Sequence, residues 1–282
     1  MKVLVTGGKG LLGTCIAPVL GEHFDCAVCD IDEWDITSEN AGKKMLDLHR
    51  PDVLINLAAM TDVDGCEDDP ELAGRVNGAG PAVLAGLCST RRVKLIHIST
   101  DYVFDGRKDS PYREDDEPGP QSVYGRTKLA GERRILESDV DAAIVRAEWL
   151  YGHSGSSFVE KVTKIGLSEG RLSVVNDQRG SPTYAKDLAM PIAAVIRKNL
   201  TGIYHVSNSG WCTWYDLAKA IFSIRGMDVE VFPISSKELG RKAKRPANSV
   251  FDLTKLRRDT GIEMRGWMDA LKDYLSEAPD VL

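Results

Sequence analysis

An α/β architecture built on a doubly wound parallel sheet, with a second, smaller α/β domain, is predicted for this 282-residue chain. Three observations carry that expectation. Short, continuously apolar strands alternate with helix-like segments through the first half, the pattern of a parallel sheet covered on both faces. A glycine cluster, Gly7-Gly8-Lys9-Gly10-Leu11-Leu12-Gly13, stands directly between the first strand and the first helix. The pattern then loses its regularity after about Tyr151, and at roughly 150 residues per domain the length suits two domains or one large one.

The elements follow in order. Lys2–Thr6 reads as an apolar strand, and Leu11–Leu20 has helical spacing. Cys26–Cys29 is the second strand, a polar helix lies within Ser38–His49, and Val53–Leu57 is the third strand. A longer helix is expected from Pro70 to Cys88, with Asp69 as its cap and Pro70 at its first position. Val93–Ser99 is the fourth strand; a proline-containing loop, a helix over Tyr124–Glu137 and a strand at Ala142–Arg146 close the set. Right-handed crossovers make the doubly wound order the economical one.

Beyond Tyr151, helices are expected at Ser157–Ser168, Thr183–Arg197, Thr213–Ile224 and Gly266–Leu275, with Thr183 and Thr213 as N-caps. Strands are expected at Leu172–Val175, Ile203–Val206 and Val229–Phe232. The expected division is residues 1–150 and 151–282, with helix 184–197 free to return to the first domain.

Composition bounds the function. Hydrophobic residues at 43% and charged residues at 28% argue for a folded chain. With 36 Lys+Arg against 42 Asp+Glu, the formal charge of −6 disfavours a broad nucleic-acid surface but leaves room for a local basic pocket. No apolar run is long enough to span a bilayer, and the N-terminus enters a strand at once, so neither a membrane segment nor a signal peptide is expected. A cytoplasmic protein with a small-molecule partner is the expectation, a homodimer being among the open assembly states. The six cysteines are scattered, and Cys26 and Cys29 point to opposite faces of one strand, which suits neither a zinc corner nor a redox pair. The five histidines form no ligand-spaced cluster, and His97 reads as a packed strand residue.

Gly7, Gly10 and Gly13 are spaced G-x-x-G-x-x-G. Glycines there allow a tight turn and close approach of backbone to a pyrophosphate, while the helix start offers free N–H groups and a positive dipole end. Gly-Lys-Ser/Thr is absent, which disfavours a nucleoside-triphosphate loop. Together with the strand alternation this predicts a Rossmann-type dinucleotide site over an ordinary strand–helix turn, with Leu11 and Leu12 joining the glycines at the helix start. Asp30, at the end of the second strand, can accept both adenosine ribose hydroxyls and favours NADH. Lys9 can pair with a 2′-phosphate and favours NADPH, so both coenzymes stay candidates. Asp35 is placed to reach the adenine amino group.

Tyr124-Gly125-Arg126-Thr127-Lys128 puts a tyrosine and a lysine at i and i+4 on one helix face. An ammonium beside a phenol favours the phenolate and lowers its pKa from about 10. The tyrosine then serves as a general acid toward a carbonyl oxygen as hydride arrives, and the lysine can hold the nicotinamide ribose. The fourth strand ends in Ser99-Thr100-Asp101-Tyr102, where Thr100 can orient the carbonyl. The third ends near Ala58, Ala59 and Thr61, small enough for a dinucleotide to lie flat. All these clusters fall at the carboxyl edge of the sheet, where doubly wound folds place ligands.

At this point the residues resemble the extended short-chain dehydrogenase/reductases and, more narrowly, the dTDP-4-dehydrorhamnose reductase family. The narrower resemblance rests on Thr61-Asp62-Val63-Asp64, on Ser99 to Gly106 and on Tyr124 to Glu132. It continues through Asn176-Asp177-Gln178-Arg179-Gly180-Ser181-Pro182-Thr183 and Arg245-Pro246-Ala247-Asn248-Ser249. It implies reduction of the C4 keto group of a dTDP-linked 4-keto-6-deoxysugar by NADPH or NADH, giving dTDP-L-rhamnose for cell-surface polysaccharide. Thr100, Tyr124 and Lys128 are then the catalytic set; Thr100, Asp101, Tyr102 and Trp149 meet the sugar.

Arg245, in the basic stretch Gly240 to Pro246, is the candidate diphosphate clamp because guanidinium binds phosphate bidentately. Some family members place acidic residues after the Pro-Thr motif around a metal; Lys186 stands in that stretch here, so no metal site is expected. Asp101-Tyr102 lacks the Asp-Glu pair of the superfamily's dehydratases, which disfavours elimination. A nucleotide-sugar epimerase is an alternative reading. The rival of another class is an idle dinucleotide-binding subunit like the regulatory subunit of methionine adenosyltransferase.

Overall fold

The computed structural model describes residues 1–155 and 157–277. Residues Val3–Thr6 are apolar or small on both faces, and all four are buried in β1 (Lys2–Thr6), as a central parallel strand requires. The chain then runs α1 (Leu11–Gly21), β2 (Asp25–Val28), α2 (Glu39–His49), β3 (Val53–Asn56), α3 (Val63–Asp68) and α4 (Pro70–Ala73). Next come a π-helical stretch at Gly74–Ala79, α5 (Gly80–Arg91), β4 (Lys94–Thr100), α6 (Val123–Leu136) and β5 (Ala142–Ala147). Ser38 caps α2 by accepting from the Ala41 amide, and Asp69 caps α4 with Pro70 at its start.

The second half adds β6 (Leu150–Tyr151), α7 (Phe158–Glu169), β7 (Arg171–Val175), β8 (Arg179–Gly180), β9 (Thr183–Tyr184), α8 (Ala189–Arg197) and β10 (Gly202–Val206). It ends with β11 (Cys212–Thr213), α9 (Trp214–Arg225), β12 (Glu230–Ile234), α10 (Ser236–Leu239), α11 (Thr254–Thr260) and α12 (Trp267–Glu277). Thr213 caps α9 in a reciprocal box with Asp216.

The large sheet has six parallel strands in the order β10-β5-β4-β3-β1-β2. The chain leaves β1 toward β2 on one side and returns to β3 on the other, so the strand order reverses between β1 and β3. One face packs on α1 and α8 through Ile16, Leu20, Ile192 and Ile196; the other is covered by Leu46, Leu84, Leu87 and Ile135 from α2, α5 and α6. Cys26 packs on the first face and Cys29 on the second, and all six cysteines are free. A third cluster, centred on Val159, Leu217, Phe222 and Leu271, forms around α7, α9 and α12. Among the described residues, no helix is long and apolar enough to cross a membrane.

The structure refines three sequence expectations. The helix expected over Pro70–Cys88 is continuous but carries a π-helical stretch at Gly74–Ala79, where Asn77 turns its amide to clasp both backbone groups of Met60, each at 2.9 Å. Thr183 is not a helix cap: its backbone pairs with Leu150, its hydroxyl donates to the Ser181 carbonyl at 2.9 Å, and a 3-10 turn at Ala185–Leu188 leads into the α-helix that starts at Ala189. The strand near Ile203–Val206 lies beside β5 at the edge of the large sheet, so the chain crosses between the two halves more than once.

Candidate active site

The reversal between β1 and β3 opens a crevice at the carboxyl ends of the strands, as such reversals do. A cavity of about 790 Å³ occupies it. Its wall includes Gly7, Lys9, Gly10, Leu11, Leu12, Gly13, Asp30, Asp35, Ala58, Ala59, Thr61, Thr100, Asp101, Tyr102, Tyr124, Lys128 and Trp149. Every residue that the sequence assigned to coenzyme or reaction therefore meets one space. Of the assigned residues, Arg245 alone is not on this wall.

At the glycine loop, Gly7 adopts φ +69°, and a Cβ there would stand 2.7 Å from the Ala58 amide nitrogen. A Cβ on Gly13 would come within 2.6 Å of the Gly8 backbone. Gly10 caps α1 with no side-chain hydrogen bond at the cap among the described residues, and the first turn carries no acidic residue. Free N–H groups, an unopposed dipole end and a cradle that any side chain would fill suit a pyrophosphate. Asp30 accepts from the backbone amides of Lys9 (2.7 Å) and Ile31 (2.8 Å), tying the glycine loop to the end of β2, while the Lys9 ammonium pairs with Asp32 at the exposed lip. Asp35 Oδ1 takes the amide and hydroxyl of Thr37 at 2.9 and 2.8 Å.

Opposite the loop, Ser122 caps α6 by accepting from the Gly125 amide, and Tyr124 and Lys128 project from the buried face of that helix. Gly125 lets the helix lie on the Tyr102 carbonyl, which a Cβ would approach to 2.2 Å. Tyr124 meets Tyr102 edge to face at 5.4 Å. Thr100 bonds its hydroxyl to Asp101 Oδ1 at 2.9 Å. The lysine ammonium donates to the Ile98 carbonyl at 2.7 Å.

One electrostatic expectation reverses here. Burial dominates at Tyr124 and pushes the phenol up from its ordinary value, with Thr100 acting the other way and the Asp101 charge adding to the rise. Burial also draws Lys128 down to about 8 against the opposing pull of Glu132. Desolvation of both groups therefore outweighs the phenolate stabilisation that the i, i+4 spacing suggests.

Trp149 stands at φ +48°, a strained conformation for a bulky residue. Its indole lies flat on Trp214 with centroids 3.5 Å apart, and Gly180 makes room for it. The ring is thus part of both the cavity wall and the packing between segments. Arg245 forms a two-pronged pair with Asp64 at 3.0 and 3.3 Å and lines a neighbouring cavity of about 320 Å³ that also meets Arg107, Arg241 and Lys244. His97 is buried and bonded to Asn56 at 3.0 Å, in keeping with a packed role. Among the described residues no cluster of three His, Cys, Asp or Glu gathers, and Lys186 donates to Glu277 at 2.9 Å.

The sequence reading missed Trp34, Met60, Val76 and Leu150 on the wall, and Asn77 behind it. Their signal was weak, since apolar residues near strand ends look like core; Asn77 between glycines inside a helix was the one readable cue.

The model of the family described as RmlD substrate binding domain matches residues 1–279. The chain belongs to this family. It is 40% identical over 278 residues to the spore coat polysaccharide biosynthesis protein SpsK of Bacillus subtilis, covering 98% of this chain and 97% of that one. It is 42% identical over 280 residues to a dTDP-4-dehydrorhamnose reductase of Streptomyces griseus, covering 96% and 91%. The solved dTDP-4-dehydrorhamnose reductase of Bacillus anthracis, in complex with NADP, superposes with a TM-score of 0.95 at 38% identity, covering 98% of this chain and 99% of that one. The resemblance to dTDP-4-dehydrorhamnose reductases and the Rossmann-type fold are both borne out.

Proposed function

We propose that this chain is an NAD(P)H-dependent reductase of the C4 keto group of a dTDP-4-dehydro-6-deoxysugar, converting dTDP-4-dehydrorhamnose to dTDP-L-rhamnose. The observation that carries the reading is the shared wall: the glycine loop and the Thr100, Tyr124, Lys128 set face one crevice. The activities for which the full-length relatives are named support the substrate class, and the NADP of the Bacillus anthracis relative favours the phosphorylated coenzyme.

A reduced nicotinamide bound in the crevice supplies the hydride. Gly7, Gly10 and Gly13 leave space for the pyrophosphate, and Ala58, Ala59 and Thr61 form the flat wall beside it. Thr100 and Tyr124 bracket the sugar oxygen, and the phenol, kept protonated by burial, is the acid that donates to it. Lys128 is the cation beside the nicotinamide end. Trp149 and Tyr102 are the apolar contacts of the sugar ring. Arg245, held in place by Asp64, is the diphosphate contact at the edge of the second cavity. Residues 1–150, joined by 189–206, form the dinucleotide-binding part, and the remaining segments form the sugar-nucleotide part.

The test is the loss of reduced-nicotinamide absorbance on adding the keto-sugar nucleotide. Substrate-dependent oxidation is expected; coenzyme binding without it would favour the idle-subunit reading.

Replacing Lys128 by Met separates function from stability. Burial holds the folded-state pKa below the lysine reference, to about 8, so an ammonium is carried at a cost below that pH and the cost shrinks as pH rises toward the unfolded value. Turnover is expected to fall at least about tenfold, while the melting temperature at neutral pH equals or exceeds wild type. That margin should narrow above about 8. A large drop in melting temperature would show that the Ile98 contact outweighs the desolvation.

A further inference from the structure

β4 and β5 run parallel in a register that sets Thr100 opposite Ala147. The next residues, Asp101 and Glu148, therefore leave neighbouring strand ends side by side, the strands being about 4.8 Å apart. Both are buried, at 2% and 1% exposure. Among the described residues neither forms an ion pair. Asp101 Oδ1 bonds the Thr100 hydroxyl at 2.9 Å; Glu148 Oε2 accepts from the Ser181 amide at 2.9 Å and the Ser249 hydroxyl at 3.4 Å. One oxygen of each, Asp101 Oδ2 and Glu148 Oε1, is buried without a partner among the described residues. Two adjacent buried carboxylates cannot both stay ionised without strong repulsion. A single proton held by the pair relieves the repulsion and would supply a donor where both orphaned oxygens now have none.

We propose that Asp101 and Glu148 share one proton at neutral pH as an acid–carboxylate pair, and that this pair positions Thr100 and Trp149 for the reaction. The inference rests on the reductase reading. Glu148, as the acid, donates to Asp101, whose other oxygen stays free to fix the Thr100 hydroxyl. Glu148 also anchors the segments of Ser181 and Ser249, and it immediately precedes Trp149, whose left-handed turn needs an outside hold.

The surroundings agree with a retained proton. Tyr124 from α6 and Tyr102 from the turn after β4 stand near Asp101, Cys212 from β11 stands near Glu148, and Arg245 faces Tyr102. Burial lifts Asp101 to about 6 and raises Glu148 well above its ordinary range, with Asp101 repulsion adding to the latter. The folded chain thus binds more protons than the unfolded one above the usual carboxylate range, and stability falls as pH rises through that window.

The experiment compares Glu148→Leu with Glu148→Gln. The leucine variant is expected to lower kcat on the order of tenfold, the worth of one buried hydrogen bond, with the coenzyme KM unchanged. Glutamine, which can donate to Asp101 as the acid does, regains most of that loss and flattens the pH dependence of melting. Infrared spectra read the pair without turnover: wild type shows a protonated-carboxyl stretch at neutral pH that Glu148→Gln lacks, so this arm stands even if the substrate reading fails or the leucine variant does not fold. Equal impairment by leucine and glutamine, normal kcat in the leucine variant, or a carboxyl band unchanged by glutamine would each overturn the proposal.

Discussion

Replacing Tyr124 by Phe is expected to lower kcat by about 10²–10⁴-fold while leaving coenzyme affinity nearly unchanged. The ring keeps its edge-to-face contact with Tyr102 and its place on the buried face of α6, so only the phenolic proton is lost. Because burial holds that phenol well above its ordinary pKa, it is fully protonated across the neutral range and is an acid ready to donate, not a standing phenolate. The pH profile should therefore show no acidic loss of activity from this group. Rapid kinetics and a coenzyme titration on the same preparation make the comparison; a variant that keeps wild-type turnover would remove Tyr124 from the acid role.

The second large effect is expected at Gly7. Alanine there meets two obstacles at once: φ of +69°, and a Cβ that would press to 2.7 Å on the Ala58 backbone nitrogen. Neither is relieved by turning a side chain. Strain of about 1–3 kcal/mol forces the loop off the end of β3. Coenzyme affinity should fall about tenfold to a hundredfold, read by the fluorescence of the bound reduced nicotinamide. Gly86→Ala is the control: a Cβ there touches nothing within 4 Å, and in a helix it should hold or slightly raise stability. Equal effects at both positions would mean that the loop does not depend on close backbone approach.

Much of this site was legible because its parts are local. The glycines follow a strand and open a helix, and Tyr124 and Lys128 stand one turn apart, so spacing alone put them at one sheet edge. The cap at Thr213 and the opposite faces of Cys26 and Cys29 were readable for the same reason. What escaped depends on partners far along the chain. Arg245 is steered by Asp64, β10 completes a sheet begun two hundred residues earlier, and Asn77 distorts its helix to hold Met60. The sign of the Tyr124 shift escaped too, since a helical wheel shows the neighbouring lysine but not the burial that overrides it. Glu148 looked like any acidic residue until the β4–β5 register set it beside Asp101.

The central claim is that a hydride passes within this crevice to the sugar carbon next to the Tyr124 phenol. It is tested most directly with reduced coenzyme carrying deuterium on the transferred face of nicotinamide C4 and a dTDP-4-keto-6-deoxysugar, the product being read by NMR. Deuterium at sugar C4, in step with coenzyme oxidised and nearly absent with Tyr124→Phe, is the predicted result. A product without deuterium at C4, or coenzyme that stays reduced while the sugar is bound, would contradict it.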